Sequence, residues 1–298
     1  MAAKIIDGKQ IAADMRAELK EDLIKLAKDG IVPGLGVILV GDDPASKSYV
    51  TAKERTCEEI GIYSMDRRLP ADTSQQDLMA LVNSMNADLK INGILVQLPL
   101  PKHLNEAEVL LAIDPGKDVD GFHPMNVGKM VIGEEAFLPC TPHGIIQLLV
   151  RSGVEIEGAD VVIVGRSNIV GKPLANMLIQ KNSKANATVT VCHTRTKNLA
   201  SHTRRADIII AAAGWPNTIT ADIVKEGVVI IDVGVNRVED ATKKKGYRLV
   251  GDVDFEAVKE KASLITPVPG GVGPMTITML LYNTIESAKR AAGFVSDK

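Results

Sequence analysis

The sequence predicts an α/β protein of two domains, each a parallel sheet covered by helices. Three observations carry that prediction. Short continuous apolar runs alternate with helical patterns through the first hundred residues, as buried strands alternate with crossover helices. Near Pro139 the chain starts again, and Asp160–Ala175 reads as strand, glycine-rich turn and helix, the opening of a doubly wound fold. At 298 residues there is enough chain to bury two cores.

Residues 9–29 place Ile11, Met15, Leu19, Leu23 and Leu26 at helical spacing and stop at Gly30. Leu35–Gly41 is a buried strand. Pro44 suits the first turn of the next helix, with Asp42 or Asp43 as its cap, and that helix runs to about Ile60-Gly61. Tyr49 and Lys53 then stand on one helical face. An aromatic plate beside an amine can hold a flat ring against a proton-transfer group. The same pair also suits a solvated Lys whose stem lies on a half-buried Tyr.

Ile62–Leu69 reads as a strand, Ser74–Leu89 as a helix, and Gly93–Pro101 as a third buried strand stopped by prolines. Gln97 is out of place there, because burying an unpartnered amide costs roughly a few kcal/mol. It either bonds a neighbouring loop or points from the sheet's carboxyl end into the crevice where ligands of open α/β sheets bind. Asp114–Pro124 is loop chemistry rich in acids, without the spaced oxygen ligands and terminal Glu of a calcium loop, so no metal is expected.

In the second half, Thr141 is expected to cap a helix with Pro142 at its first position, running to about Arg151. Gly165-x-Ser167-x-x-x-Gly171 is a variant of the dinucleotide fingerprint, set after a buried strand and before a helix. Strands follow at Ala187–Cys192, Asp207–Ala212 and Val228–Val233. An NAD site usually has an acid near the end of the second strand, for the ribose 2′-hydroxyl. Here Cys192–Lys197 carries Arg195 and Lys197 and no acid, and Arg166 adds a third cation. Guanidinium groups suit phosphate, so NADP is expected over NAD. The last Pro- and Gly-rich segment lies between strand-like Leu264-Ile265 and a helix through Ala292; its Gly270-Gly271-Val272-Gly273 would let backbone approach a ligand closely.

Composition narrows the function. A net charge of −2 offers no basic field for nucleic acid or membrane surfaces. The longest apolar runs are too short to span a bilayer, and the first residues hold no apolar signal region. Cys57, Cys140 and Cys192 are widely spaced and odd in number, which suggests reduced thiols in a cytoplasmic protein. No Cys and His spacing suggests a metal site.

Taken together, Tyr49-x-x-x-Lys53, Val96-Gln97-Leu98-Pro99, Lys117-Asp-Val-Asp-Gly-Phe122, Gly165-Arg166-Ser167 and Pro267-Val-Pro-Gly-Gly-Val-Gly-Pro274 resemble one family. It is the bifunctional methylenetetrahydrofolate dehydrogenase/methenyltetrahydrofolate cyclohydrolase, the FolD type, and the resemblance runs from about Ile5 to the final helix. It implies a folate-binding catalytic domain over residues 1–138, a Rossmann-type NADP-binding domain over 139–274, and a final helix, about 275–298, returning to the first domain. It also implies a homodimer, oxidation of 5,10-methylenetetrahydrofolate by NADP⁺, and hydrolysis of the methenyl product to 10-formyltetrahydrofolate.

By the same resemblance Lys53 is the key catalytic group, chiefly for hydrolysis, and acting as a base requires a lowered pKa. Gln97 positions Lys53 or the attacking water, Tyr49 is the plate against the folate ring, and Asp120 binds the pterin. The pterin's 2-amino and ring N–H form a donor fork that matches a carboxylate. Val96, Leu98 and the backbone of Pro269, Gly270, Gly271, Val272 and Gly273 are expected to line the folate cleft. Gly165, Arg166, Ser167, Thr194, Arg195 and Val235 are expected on NADP; Thr194 stands where many relatives carry Ser, and the hydroxyl is kept. His123 and His193 are read as structural or peripheral. Aromatic residues make up 3% of the chain, so few rings can wall the folate.

Tyr-x-x-x-Lys is also the catalytic pair of short-chain dehydrogenases, but there it follows the fingerprint, whereas here it precedes it by more than a hundred residues. A relative with one activity, or a non-catalytic NADP- and folate-binding sensor, are the remaining alternatives.

Overall fold

The structure is a computed structural model and describes residues 3–243 and 246–294. It divides into two compact units, one of residues 14–140 with 277 onward, the other of the N-terminal residues to 13 with 141–276.

The chain opens with β1 (Lys4–Ile5) and α1 (Gly8–Lys28). A βαβαβ run follows: β2 (Gly34–Val40), α2 (Pro44–Ile60), β3 (Tyr63–Leu69), α3 (Gln75–Ala87) and β4 (Gly93–Val96). These strands make a three-stranded parallel sheet in the order β3-β2-β4. Every residue of β2 and β4 is buried, which is why both read as unbroken apolar runs. Ile38, Val40, Leu78, Val82, Met85, Ile94 and Val96 share the core under α3. β3 lies at the edge and is partly exposed, which its Asp66, Arg67 and Arg68 tolerate.

α2 begins and ends for the reasons its sequence offers. Pro44 fills the first turn, the Asp43 carboxylate accepts the Ser46 N–H at 2.8 Å, and Gly61 leaves the helix at φ 95°. β4 is shorter than the predicted Gly93–Pro101. Pro99 and Pro101 lack the N–H a strand needs, so Gln97 is the first residue beyond the strand rather than inside it. Two short helices, α4 (Glu106–Ala112) and α5 (Pro124–Ile132), were not expected.

In the other unit come α6 (Cys140–Arg151), β5 (Asp160–Val164), α7 (Gly171–Leu178), β6 (Thr188–Cys192), α8 (Leu199–Thr203), β7 (Ile208–Ala211) and β8 (Val229–Asp232). An antiparallel pair, β9 (Asn236–Glu239) and β10 (Tyr247–Val250), then leads through α9 (Phe255–Val258) to β11 (Leu264–Ile265) and α10 (Val272–Ala291). The main sheet has six parallel strands in the order β1-β11-β8-β7-β5-β6.

Two expectations need correction. Thr141 is no N-cap: α6 already begins at Cys140, and the Thr141 hydroxyl meets that of Thr276 at 2.9 Å. Residues through 13, assigned from the sequence to the first domain, group with the second, because β1 pairs in parallel with β11. The other break falls between 140 and 141, two residues past the expected one. From Ile277 on, α10 packs with residues 14–140: Asn283 donates to the carbonyls of Val119 (2.8 Å) and Leu138 (3.0 Å), and Ser287 to those of Asn92 (2.6 Å) and Gly116 (2.8 Å). Residues 1, 2 and 295–298 of the expected spans lie outside the described residues. Among the described residues no helix is long and apolar enough to cross a membrane.

Candidate functional site

α2 buries one stripe: Ser46, Val50, Lys53, Cys57 and Ile60, spaced alternately four and three apart. Lys53 therefore occupies a core position. Its exposure is 7% against 41% for Tyr49, the reverse of a solvated Lys lying on a buried ring. Its Nζ donates to Gln97 Oε1 at 3.1 Å, and Gln97 Nε2 donates to the Leu98 carbonyl at 2.7 Å, which turns the amide oxygen toward the lysine. Burial holds the Lys53 pKa below its ordinary value, against the nearby Asp120 charge, which favours the ammonium. A buried amine poised toward its neutral form is a base.

Asp120 is half-buried beside Lys53. Burial raises its pKa and the Lys53 charge opposes that rise. Cys140, at the start of α6, completes the group, with its thiol donating to the Val119 carbonyl at 3.3 Å. Burial first, and the Asp120 charge second, push that thiol well above its ordinary pKa, so it stays a donor. Sequence reasoning passed over Cys140; its position just before Thr141-Pro142 carries no signal of this proximity.

The acidic loop divides its carboxylates by task. Asp114 closes a turn on the Gly116 N–H at 2.7 Å. Buried Asp118 accepts from the N–H groups of Phe122 (3.2 Å) and His123 (2.8 Å) and from Asn126 Nδ2 (2.8 Å). Lys117 anchors the loop by donating to the last carbonyls of α3, at Met85 (3.2 Å), Asn86 (2.7 Å) and Asp88 (2.8 Å). His123 caps α5, its Nδ1 accepting from Met125 N–H at 3.1 Å. Asp120 is thus the acid of this loop that faces Lys53. Among the described residues no group of His, Cys, Asp and Glu is arranged to hold a metal ion.

Val96 is a core residue and Leu98 is half-buried, so Val96 can offer a ligand only its backbone. In the other unit, Pro269–Gly273 run from the link after β11 into the first turn of α10; Pro269 is exposed, whereas Gly270, Gly271 and Val272 are buried.

The nucleotide candidates share one edge of the six-stranded sheet. Cys192, Val164, Ala211 and Asp232 stand in one register row, each the last residue of its strand. Loops bearing Gly165–Ser167, Thr194-Arg195 and Val235 leave from that row, at the carboxyl ends where nucleotides bind. Gly165 turns at φ 139°, and a Cβ there would overlap the Ala212 carbonyl. Ser167 Oγ accepts from the N–H groups of Val170 (3.1 Å) and Gly171 (3.4 Å), fixing the turn into α7. Arg166, Thr194, Arg195 and Val235 are exposed. A tight glycine turn flanked by two accessible guanidinium groups fits a nucleotide carrying a diphosphate and a further phosphate.

The chain is similar to known proteins over nearly its whole length. Residues 6–120 match the family described as tetrahydrofolate dehydrogenase/cyclohydrolase, catalytic domain, and residues 139–292 its NAD(P)-binding domain. The bifunctional protein FolD of Syntrophus aciditrophicus is 61% identical over 98% of this chain and 100% of its own length. The crystal structure of the FolD methylenetetrahydrofolate dehydrogenase/cyclohydrolase from Campylobacter jejuni superposes with a TM-score of 0.91 at 52% identity, covering 97% of this chain and 99% of that one. The Trypanosoma brucei methylenetetrahydrofolate dehydrogenase-cyclohydrolase, solved with NADP and an inhibitor, gives a TM-score of 0.93 at 40% identity, covering 98% and 99%.

Proposed function

This chain belongs to the tetrahydrofolate dehydrogenase/cyclohydrolase family, and we propose that it performs both family reactions with the residues just described. It oxidises 5,10-methylenetetrahydrofolate to the methenyl cation and hydrolyses that cation to 10-formyltetrahydrofolate. Bound NADP⁺ supplies the hydride acceptor. One set of residues can serve both steps, because the carbon left electron-poor by loss of hydride is the one that water attacks.

The observation that carries this reading is a buried Lys53 hydrogen-bonded to Gln97. Neutral Lys53 takes a proton from the water as its oxygen adds to the methenyl carbon, with Gln97 holding the amine in place. The new hydroxyl then gives up its proton as the C–N5 bond breaks and N5 takes a proton, leaving the formyl group on N10. General-base help of this kind contributes about 10²–10⁴-fold. Asp120 accepts the pterin's donor fork. Tyr49, exposed one turn before Lys53, stacks on the folate ring, while Val96–Leu98 contribute backbone; in the other unit, Pro269–Gly273 offer backbone of their own. Gly165 and Ser167 shape the turn that takes the diphosphate, and Arg166 and Arg195 favour the 2′-phosphate, with Thr194 and Val235 beside the cofactor. The protein acts in the cytoplasm, where three buried reduced thiols fit. It works as a homodimer joined through the nucleotide unit, for which β6, the last strand of that sheet, offers an edge.

The test follows reduced cofactor, methenyl and 10-formyl products together, with 5,10-methylenetetrahydrofolate and either NADP⁺ or NAD⁺. NADPH formation followed by 10-formyl product is expected. Lys53→Met should keep NADPH binding and lose hydrolysis at least a hundredfold. Reduction of NAD⁺ alone would overturn the roles of Arg166 and Arg195, and ligand binding without turnover would favour the sensor.

A further inference from the structure

We propose that Asp232 and Asp252 are positioning residues for the cofactor, a relay of two buried carboxylates that sets the loops after β7 and β8 against the Gly165 turn. The inference rests on the reading of that sheet edge as the NADP site.

Both acids are nearly inaccessible, Asp252 at 0% and Asp232 at 3% exposure. Asp252 Oδ2 accepts from the N–H groups of Ala213 (2.6 Å) and Gly214 (2.7 Å), and its Oδ1 accepts from Asn236 Nδ2 (2.8 Å). Asp232 holds Asp252 in turn. Its Oδ1 accepts from the N–H groups of Asp252 (2.9 Å) and Gly234 (3.0 Å), and its Oδ2 from that of Val253 (3.0 Å). The Asp232 N–H itself donates to Thr266 Oγ1 at 2.7 Å, beyond the end of β11.

The consequences reach the nucleotide edge in two places. Ala212, whose carbonyl abuts Gly165, immediately precedes the two amides that Asp252 captures. Val235 is bracketed by Gly234, held by Asp232, and Asn236, held by Asp252. Glycine is needed at 234 and 251 for steric reasons: a Cβ at the first would overlap the Asp252 carboxylate, and at the second that of Asp232. With the Ala213 and Gly214 amides turned inward, the loop after β7 cannot offer them to phosphate, which leaves the β5–α7 turn as the phosphate cradle. Burying two carboxylates is costly unless donors compensate, and all six donors named here are neutral amides. A cofactor loop that must keep one shape gives that arrangement a use.

The chain's single Trp, Trp215, follows Gly214 directly and is 74% exposed, so its energy transfer to NADPH reports on this loop. The experiment compares the full-length wild type with Asp252→Ala, Asp252→Asn, Asp232→Asn and the surface control Glu226→Gln. Three readouts are taken: the KM for NADP⁺, transfer from Trp215 to NADPH, and hydrolysis of methenyltetrahydrofolate without NADP. Asp252→Ala should raise the KM for NADP⁺ about tenfold or more and weaken transfer in parallel, with hydrolysis within twofold of wild type. Asp252→Asn, which keeps one oxygen for the two amides, should recover part of that loss, and Asp232→Asn should show a smaller effect of the same kind. An unchanged KM in Asp252→Ala overturns the proposal, as does an equal loss of oxidation and hydrolysis. Failure of the wild type to bind NADPH would instead overturn the reading of the edge itself.

Discussion

Lys53 in one unit and the Asp232–Asp252 pair in the other are all withdrawn from water, yet their surroundings differ in kind. Lys53 donates to Gln97, and an ammonium has three N–H groups, so its capacity is not exhausted. Asp232 and Asp252 each accept three amide donors. Burial disfavours charge in every case. In the first, little compensates, and the group stays poised to change protonation. In the second, three amide donors at each carboxylate oppose burial, which still lifts the Asp232 carboxyl to about 7, and the two groups serve as acceptors that shape backbone. Buried charge is thus not one signal; the number of partners separates chemistry from scaffolding.

The sharpest way to break this comparison is at Lys53. Because burial lowers its pKa, the neutral amine should appear at a lower pH than for a free lysine, and hydrolysis should climb with pH to a midpoint below the ordinary value of 10.5. Lys53→Arg, which stays charged, should lose about a hundredfold or more and flatten that limb in a pH–rate profile. Asp118 tests the other half, since it is a saturated acid inside the catalytic unit. Asp118→Asn should cost about 1–3 kcal/mol in urea unfolding and leave the pH midpoint of hydrolysis where it was.

The smallest effect is expected at Asp66, an intermediate case on β3. Its Oδ1 accepts from Ser64 at 3.3 Å, while its buried Oδ2 has no hydrogen-bond partner among the described residues and Arg68 stands 3.9 Å away. Burial first, and Glu54 second, raise its pKa from 3.8 to about 6. The folded chain then holds that proton more tightly than the unfolded one, so stability is lost as pH rises from near 4 through 6. Asp66→Asn should therefore stabilise the protein above pH 6 and not below pH 4, as melting curves at the two pH values will read.

Much of this was legible because local patterns carry it. β2, α2 and the Gly165 turn follow from unbroken apolar runs, caps and glycine spacing. The burial of Lys53 was also written in the chain, since Val50, Lys53, Cys57 and Ile60 keep a core spacing; the lysine's usual preference for water hid it. Within Lys117–Phe122 no local rule says which acid pins the loop and which faces the amine. That depends on the carbonyl ends of α3 and on Asn126, and only the folded chain brings them there. Asp232 and Asp252 carry no local mark of their role for the same reason. β9 and β10 alternate half-buried and exposed residues too weakly, and with too many charges, to announce a hairpin. The pairing of β1 with β11 joins positions 260 residues apart, beyond any window of periodicity.

That last pairing also bears on how the protein is made. The three strands of the catalytic sheet are complete once Val96 has been synthesised. Lys4 and Ile5 wait for their strand partners, Leu264 and Ile265, which are synthesised 260 residues later. At about 5–20 residues per second, that wait lasts roughly 15–50 s. The nascent chain must therefore carry its opening strand unpaired while an entire catalytic sheet can form downstream of it, and a ribosome that stalls short of residue 264 releases a polypeptide whose nucleotide sheet cannot close.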